Sequence, residues 1–173
     1  MARVTAYGRV EAHADQLTER PFVRVYLDTS VYSRPFDDQS QARVALEALA
    51  LEVIMDWIAA GRVELVVSSV LRHEVARDPN ETRRHAVEER VALSAFDVAA
   101  THELRGRARA LGAVGMKPAD ALHVACAEAA ACAALVTCDD RLIARRWAAR
   151  VRIVTPTDFV AALEEQSHET HDR

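Results

Sequence analysis

Hydrophobic positions fall into two alternating rhythms along this chain, short β-rich runs and longer segments with apolar residues three or four apart. The first run, Val23-Arg24-Val25-Tyr26-Leu27, follows a polar, aperiodic stretch from Met1 to Pro21 and stops at Asp28-Thr29-Ser30. It predicts a strand with an acid at its carboxyl end. Pro35 and Asp37-Asp38 predict a loop. Ser40 can then cap a helix to about Ala60, closed by Gly61, in which Leu46, Leu49, Val53, Ile54, Trp57 and Ile58 recur at helical spacing and would cover a sheet face.

The second run, Val63 to Val67, ends at Ser68-Ser69, whose hydroxyls suit the start of a helix carrying Glu74 and broken by Asp78-Pro79-Asn80. Glu81 to Leu93 and Thr101 to Leu111 read as two amphipathic helices joined near Phe96. Pro118 at a first helical position starts an Ala-rich helix to about Ala131. The strand Ala134 to Thr137 then runs into Cys138-Asp139-Asp140. A helix from Arg141 to Ala149, a strand from Val151 to Val154 and a helix from Thr157 complete the chain. Strands separated by helices require crossover connections, so the expected class is α/β, a mainly parallel sheet flanked by helices in an α/β/α sandwich. The divisions expected are a loose extension over 1–21, one domain over 22–165 and a polar tail over 166–173.

Composition narrows the partners. Of 173 residues half are hydrophobic and only 5% aromatic, so the core is built from Ala, Val and Leu. The net charge of −4 is not that of a cationic film for wrapping duplex DNA. All bases but Lys117 are Arg. Cys126, Cys132 and Cys138 lack disulfide or zinc spacing, and the first two fall in the Ala-rich helix as small hydrophobes, with Cys138 a candidate for oxidation. No apolar run of membrane length or secretory h-region appears, so a soluble, cytoplasmic protein with no membrane partner is expected. Trp57 and Trp147 read as core residues of helical stripes. His168 and His171 lie in the polar tail without further zinc ligands.

Two acidic clusters end predicted strands, Asp28 and Asp139-Asp140, on the rim where α/β proteins bind ligands. Each acid alone could merely cap a helix. Glu74, however, sits amid Val70, Leu71 and Val75 on the helix after the second strand, and Asp120 in the first turn of an almost wholly apolar helix. Carboxylates that share a pocket repel one another unless a hard divalent cation neutralises them, and an all-oxygen set without His or Cys favours Mg²⁺ or Mn²⁺ and phosphoryl chemistry over zinc.

These segments, V-Y-L-D-T-S-V-Y from Val25, K-P-A-D-A-L-H-V-A-C-A from Lys117 and L-V-T-C-D-D-R-L from Leu135, with Glu74 between them, resemble the PIN domain nucleases. The resemblance spans about Val23 to Leu163. It implies a PIN-like fold and a Mg²⁺- or Mn²⁺-dependent ribonuclease whose catalytic and metal-binding acids are Asp28, Glu74, Asp120 and Asp139. Thr29, Ser30, Thr137 and Asp140 would support them. It also implies a VapC-like toxin of a toxin-antitoxin pair, with RNA as substrate, an antitoxin as partner and a homodimer as the assembly. Arg141 departs from the pattern, standing where some relatives carry another acid.

Arg34 is a candidate phosphate contact through its guanidinium fork. Arg72 and Arg141 read as solvated helix charges, and His123, three residues after Asp120, as a packed residue or one standing behind a ligand. Two other readings stay open at the level of residues. One is a catalytically degenerate PIN fold serving as an RNA-binding or protein-interaction module. The other is an Asp-nucleophile phosphatase built on Asp28, although Ser30 stands where that chemistry wants a second acid.

Overall fold

A computed structural model describes residues 23–169; the expected extension over 1–21 and the end of the polar tail lie outside the described residues. Five strands, β1 (Val23–Leu27), β2 (Val63–Ser68), β3 (Phe96–Val98), β4 (Ala134–Val136) and β5 (Arg152–Val154), form one sheet in the order β3-β2-β1-β4-β5. Every pairing is parallel. β1 is central and β1, β2 and β4 are largely buried, as expected of apolar runs covered on both faces.

Among the described residues eight helices flank the sheet: α1 (Thr29–Ser33), α2 (Ala42–Ala59), α3 (Ser69–Ala76), α4 (Glu81–Val91), α5 (His102–Ala113), α6 (Pro118–Ala129), α7 (Asp140–Ala144) and α8 (Pro156–Glu169). α2 packs with α8, and α5 with α6, which also meets α3, β2 and β4. This is the expected α/β/α sandwich. None of the described helices is long and apolar enough to cross a membrane.

Local chemistry explains the boundaries. Ser68 caps α3 by accepting from the Leu71 amide at 3.1 Å, Asn80 caps α4 and Thr101 caps α5. Pro118 occupies the first turn of α6. α6 closes earlier than the Ala-rich run suggests, because Ala131 turns into the left-handed region at φ 53° and leaves Cys132 beyond the helix.

Several expectations need correction. The joint near Phe96 is the edge strand β3, anchored by the Ala95 amide on the Leu65 carbonyl at 2.9 Å. Three residues are too few to show alternation. The loop expected after Asp28 begins as helix α1 and a 3₁₀ turn over Arg34–Phe36. Ser40 bonds Asp38 rather than capping α2, whose cap position is Gln41. The helix expected over Arg141 to Ala149 breaks into α7 and a 3₁₀ turn, and Trp147 is 67% exposed rather than core. α8 continues through the first residues assigned to the tail.

The stripe on α2 also differs. Ile54, Trp57 and Ile58 are buried, but Leu46, Leu49 and Val53 face outward, and the inner face carries Val44, Glu47, Ala50, Leu51 and Met55. Apolar residues ring this helix, so spacing alone admits two faces. The inner face accepts Glu47 because Arg34 Nε and Arg43 Nε meet its carboxylate at 2.5 and 2.9 Å.

Candidate active site

The chain passes from β1 leftward to β2 and β3, then crosses to the other side of β1 for β4 and β5. Asp28 and Asp139 therefore follow the two strands at the reversal point, the position beyond the carboxyl ends where open α/β sheets bind ligands. Glu74 enters from α3 and Asp120 from the first turn of α6.

Asp28 stands at the cap position of α1 yet makes no side-chain capping bond. It is 7% exposed, and its Oδ2 accepts from the Ser30 and Thr137 hydroxyls, both at 2.8 Å, while Thr29 Oγ1 donates to Oδ1 at 3.3 Å. Hydroxyl donors from the first turn of α1 and from the residue just after β4 thus hold the carboxylate across the strand junction. The Thr137 oxygen also accepts from the Asp139 amide at 3.1 Å, and Ser30 Oγ accepts from the Cys138 amide at 3.0 Å. Asp139 caps α7, its Oδ1 accepting from the Arg141 amide at 2.7 Å, and Lys117 Nζ stands 3.9 Å from Oδ2.

Thr29 bridges the first two acids, since its hydroxyl also stands 3.1 Å from Glu74 Oε2. His123 Nε2 donates to the same oxygen at 2.9 Å and lies 3.9 Å from Asp28 Oδ1. Burial opposes charge on Glu74, but the His123 bond and charge and the Thr29 bond outweigh it, holding the carboxyl below its ordinary range. For His123 burial opposes protonation, and the Glu74 bond with the charges of Asp28, Glu74 and Asp120 more than offsets it, so the imidazole lies above its ordinary value. Asp120 moves upward, through burial and then the charges of Asp28 and Asp139, with Lys117 and His123 opposing. That mutual repulsion links the acids of β1, β4 and α6.

The remaining candidates are tied elsewhere. Asp140 is largely exposed and forms a two-pronged pair with Arg43 at 2.9 and 2.6 Å. Arg34 commits Nε to Glu47, Nη1 to Asp37 and Nη2 to the Cys138 carbonyl. Arg72 clasps Asp97 of β3. Cys138 is buried and its thiol is pushed up to about 12, mainly by burial, which removes the thiolate that oxidation needs.

Among the described residues no three His, Cys, Asp or Glu side chains form a ready-made coordination shell. The donor set nevertheless suits a hard divalent cation: all oxygen, with Asp120 under repulsion from Asp28 and Asp139. Mg²⁺ retains several waters, so it needs only one or two direct carboxylates.

Residues 25–157 match the PIN domain family model, from within β1 to the first turn of α8. The chain belongs to the PIN domain family. No curated protein matches it. Among solved structures, FitAcB from Neisseria gonorrhoeae is 23% identical with a TM-score of 0.49, covering 76% of this chain and 97% of that one. VapBC2 from Rickettsia felis bound to a DNA fragment from their promoter is 14% identical with a TM-score of 0.50, covering 76% and 97%. PAE2754 from Pyrobaculum aerophilum is 19% identical with a TM-score of 0.49, covering 80% and 94%. These are likenesses of fold.

Sequence reasoning passed over two residues of this PIN domain that reach the site from behind, Tyr26 and Ser68. Tyr26 OH lies 2.7 Å from Ser68 Oγ and 2.8 Å from His123 Nδ1. A tyrosine inside an aliphatic strand was the available signal.

Proposed function

We propose that this PIN domain is a Mg²⁺- or Mn²⁺-dependent endoribonuclease in which Asp28, Glu74, Asp120 and Asp139 hold the cation directly or through water. PIN domains are in general nucleases, which supplies the reaction class. The observation that carries the reading is Asp28, a buried carboxylate whose Oδ2 is clamped by the Ser30 and Thr137 hydroxyls at the strand reversal, with Asp120 raised by burial and then by the charges of Asp28 and Asp139. When bound, the cation lowers the pKa of water and neutralises charge on the phosphate. The chain's own residues supply the placement: Thr137 and Ser30 fix Asp28, Thr29 and His123 fix Glu74, and the Arg141 amide fixes Asp139. Lys117, beside Asp139, supplies a positive charge at the rim for a phosphodiester.

RNA is the substrate weighted by the motif resemblance. The resemblance and the VapBC2 likeness support the toxin of a toxin-antitoxin pair, with an antitoxin partner and a homodimeric assembly in the cytoplasm. A phosphatase using Asp28 as nucleophile fits less well, because Ser30, where that chemistry wants a second acid, instead donates to Asp28.

The test is cleavage of single-stranded RNA with Mn²⁺, with EDTA, and with Asp28→Asn. The Asn carbonyl still accepts from Ser30 and Thr137, so the fold is retained. Cleavage should fall at least about 100-fold with EDTA and in the variant. Undiminished cleavage in either arm refutes the reading.

A further inference from the structure

Tyr26 and Ser68 are wholly buried and His123 is 2% exposed, in a core made mostly of aliphatic side chains. Polar groups at such depth are costly unless every hydrogen bond is made. Here they are made, and donor chemistry fixes their direction. An ionised carboxylate only accepts, so the Glu74 bond requires the proton of His123 on Nε2. In the neutral ring Nδ1 then accepts from the Tyr26 hydroxyl, Tyr26 accepts from Ser68, and Ser68 accepts from the Leu71 amide. The series starts in the first turn of α3, crosses β1 and α6, and returns to α3 at Glu74. If Nδ1 also carries a proton, it donates to Tyr26, which donates to Ser68. The bond to Glu74 is the same in both states.

The two donors reaching Glu74 both land on Oε2. Oε1 takes no hydrogen bond among the described residues. We propose that Ser68, Tyr26 and His123 form a positioning relay that holds Glu74 in one orientation, with Oε2 engaged and Oε1 left for a divalent cation. The proposal rests on reading Glu74 as a cation ligand. It adds residues that touch neither ion nor substrate and act through the carboxylate. Partners that orient a metal ligand typically contribute 10- to 100-fold in metal affinity.

The experiment is Mn²⁺ titration of the full chain, followed by the electron paramagnetic resonance of free Mn²⁺, for wild type, His123→Leu, His123→Gln and Tyr26→Phe. Each is measured well below its melting temperature, and ¹⁵N shifts of His123 are recorded in the wild type. His123→Leu should weaken Mn²⁺ binding about 10- to 100-fold and Tyr26→Phe by about 3- to 10-fold. His123→Gln, whose amide can still donate to Glu74, should stay within about threefold of wild type. A merely structural role would lower the melting temperature and leave Mn²⁺ affinity of the folded protein alone. Should His123→Leu fail to fold, Tyr26→Phe decides. Wild-type affinity in folded Tyr26→Phe, or a neutral His123 carrying its proton on Nδ1, overturns the relay. Absence of Mn²⁺ binding by the wild type overturns the cation reading and the relay with it.

Discussion

Glu47→Gln swaps a carboxylate that is 2% exposed for an amide of nearly the same shape, so its effect isolates charge and donor pattern from packing. One amide oxygen can still accept from Arg34 Nε, now without charge assistance, at a loss of about 1–1.5 kcal/mol. The amide nitrogen turns a donor toward Arg43 Nε. Arg43 is half exposed and also holds Asp140, so it can swing into water for about 0.5 kcal/mol. The sum is about 2 kcal/mol, or about 4–8 °C in melting temperature for a domain of this size. Glu47→Ala, which leaves Arg34 facing a cavity, should cost about 3–5 kcal/mol. Asp140→Asn is the control, since it breaks only the exposed pair and should cost less than either Glu47 variant. Urea unfolding of the three variants measures the differences. If Glu47→Gln costs no more than Asp140→Asn, the Glu47 pocket is hydrated and the inner-face argument for α2 fails. Because Arg34 also donates to the Cys138 carbonyl beside Asp139, Glu47→Gln should slow cleavage as well.

Three further outcomes follow from single residues. Asp120 titrates above its ordinary value of 3.8, so the folded protein binds that proton more tightly than the unfolded chain, and stability should fall as pH rises from about 4 through the folded value. In EDTA, Asp120→Asn should flatten that fall and melt higher than wild type at pH 7; a lower melting temperature there would refute the repulsion. Ala131→Gly should stabilise by about 0.5–1 kcal/mol, because φ 53° is strained for alanine and open to glycine, and a loss in chemical denaturation would show that the Ala131 methyl packs usefully. The Tyr32 hydroxyl is buried without a hydrogen-bond partner among the described residues, so Tyr32→Phe should be neutral or stabilising by up to about 1 kcal/mol; destabilisation beyond that in the same assay would reveal a bound water.

How far the fold was legible depended on how many residues each signal spans. β1, β2 and β4 announce themselves because buried parallel strands are continuous apolar runs, and Ser68, Asn80 and Pro118 mark helix starts by chemistry local to the backbone. β3 is three residues on an exposed edge and gains its identity from pairing with Val66–Ser68, a relation that no window around Phe96 contains. The inner face of α2 was illegible for a related reason. Periodicity ranks faces by hydrophobicity, whereas the structure chose the face whose one acid finds two arginines, one from a turn before the helix.

The acids were legible because topology is: a residue following a strand of a parallel sheet goes to the carboxyl rim, so Asp28 and Asp139 could be placed before any side chain was seen. Their partners could not. Thr137 donates to Asp28 across 109 positions and His123 to Glu74 across 49, and neither distance follows from spacing along one element. What separates a charged site from a row of helix caps is therefore written in these cross-element bonds. Asp139 does cap α7, as the plainest reading allows, while Asp28 stands at a cap position and spends its oxygens on hydroxyls instead. On the proposed reading, a carboxylate held by Ser30 and Thr137 should keep its position when Asp120 is protonated or a cation arrives, because those hydroxyls belong to the strand junction. Asp28 is accordingly the fixed point of the site. Asp120, pushed upward by burial and then by the charges of Asp28 and Asp139, is the acid that a cation, on the proposed reading, would relieve.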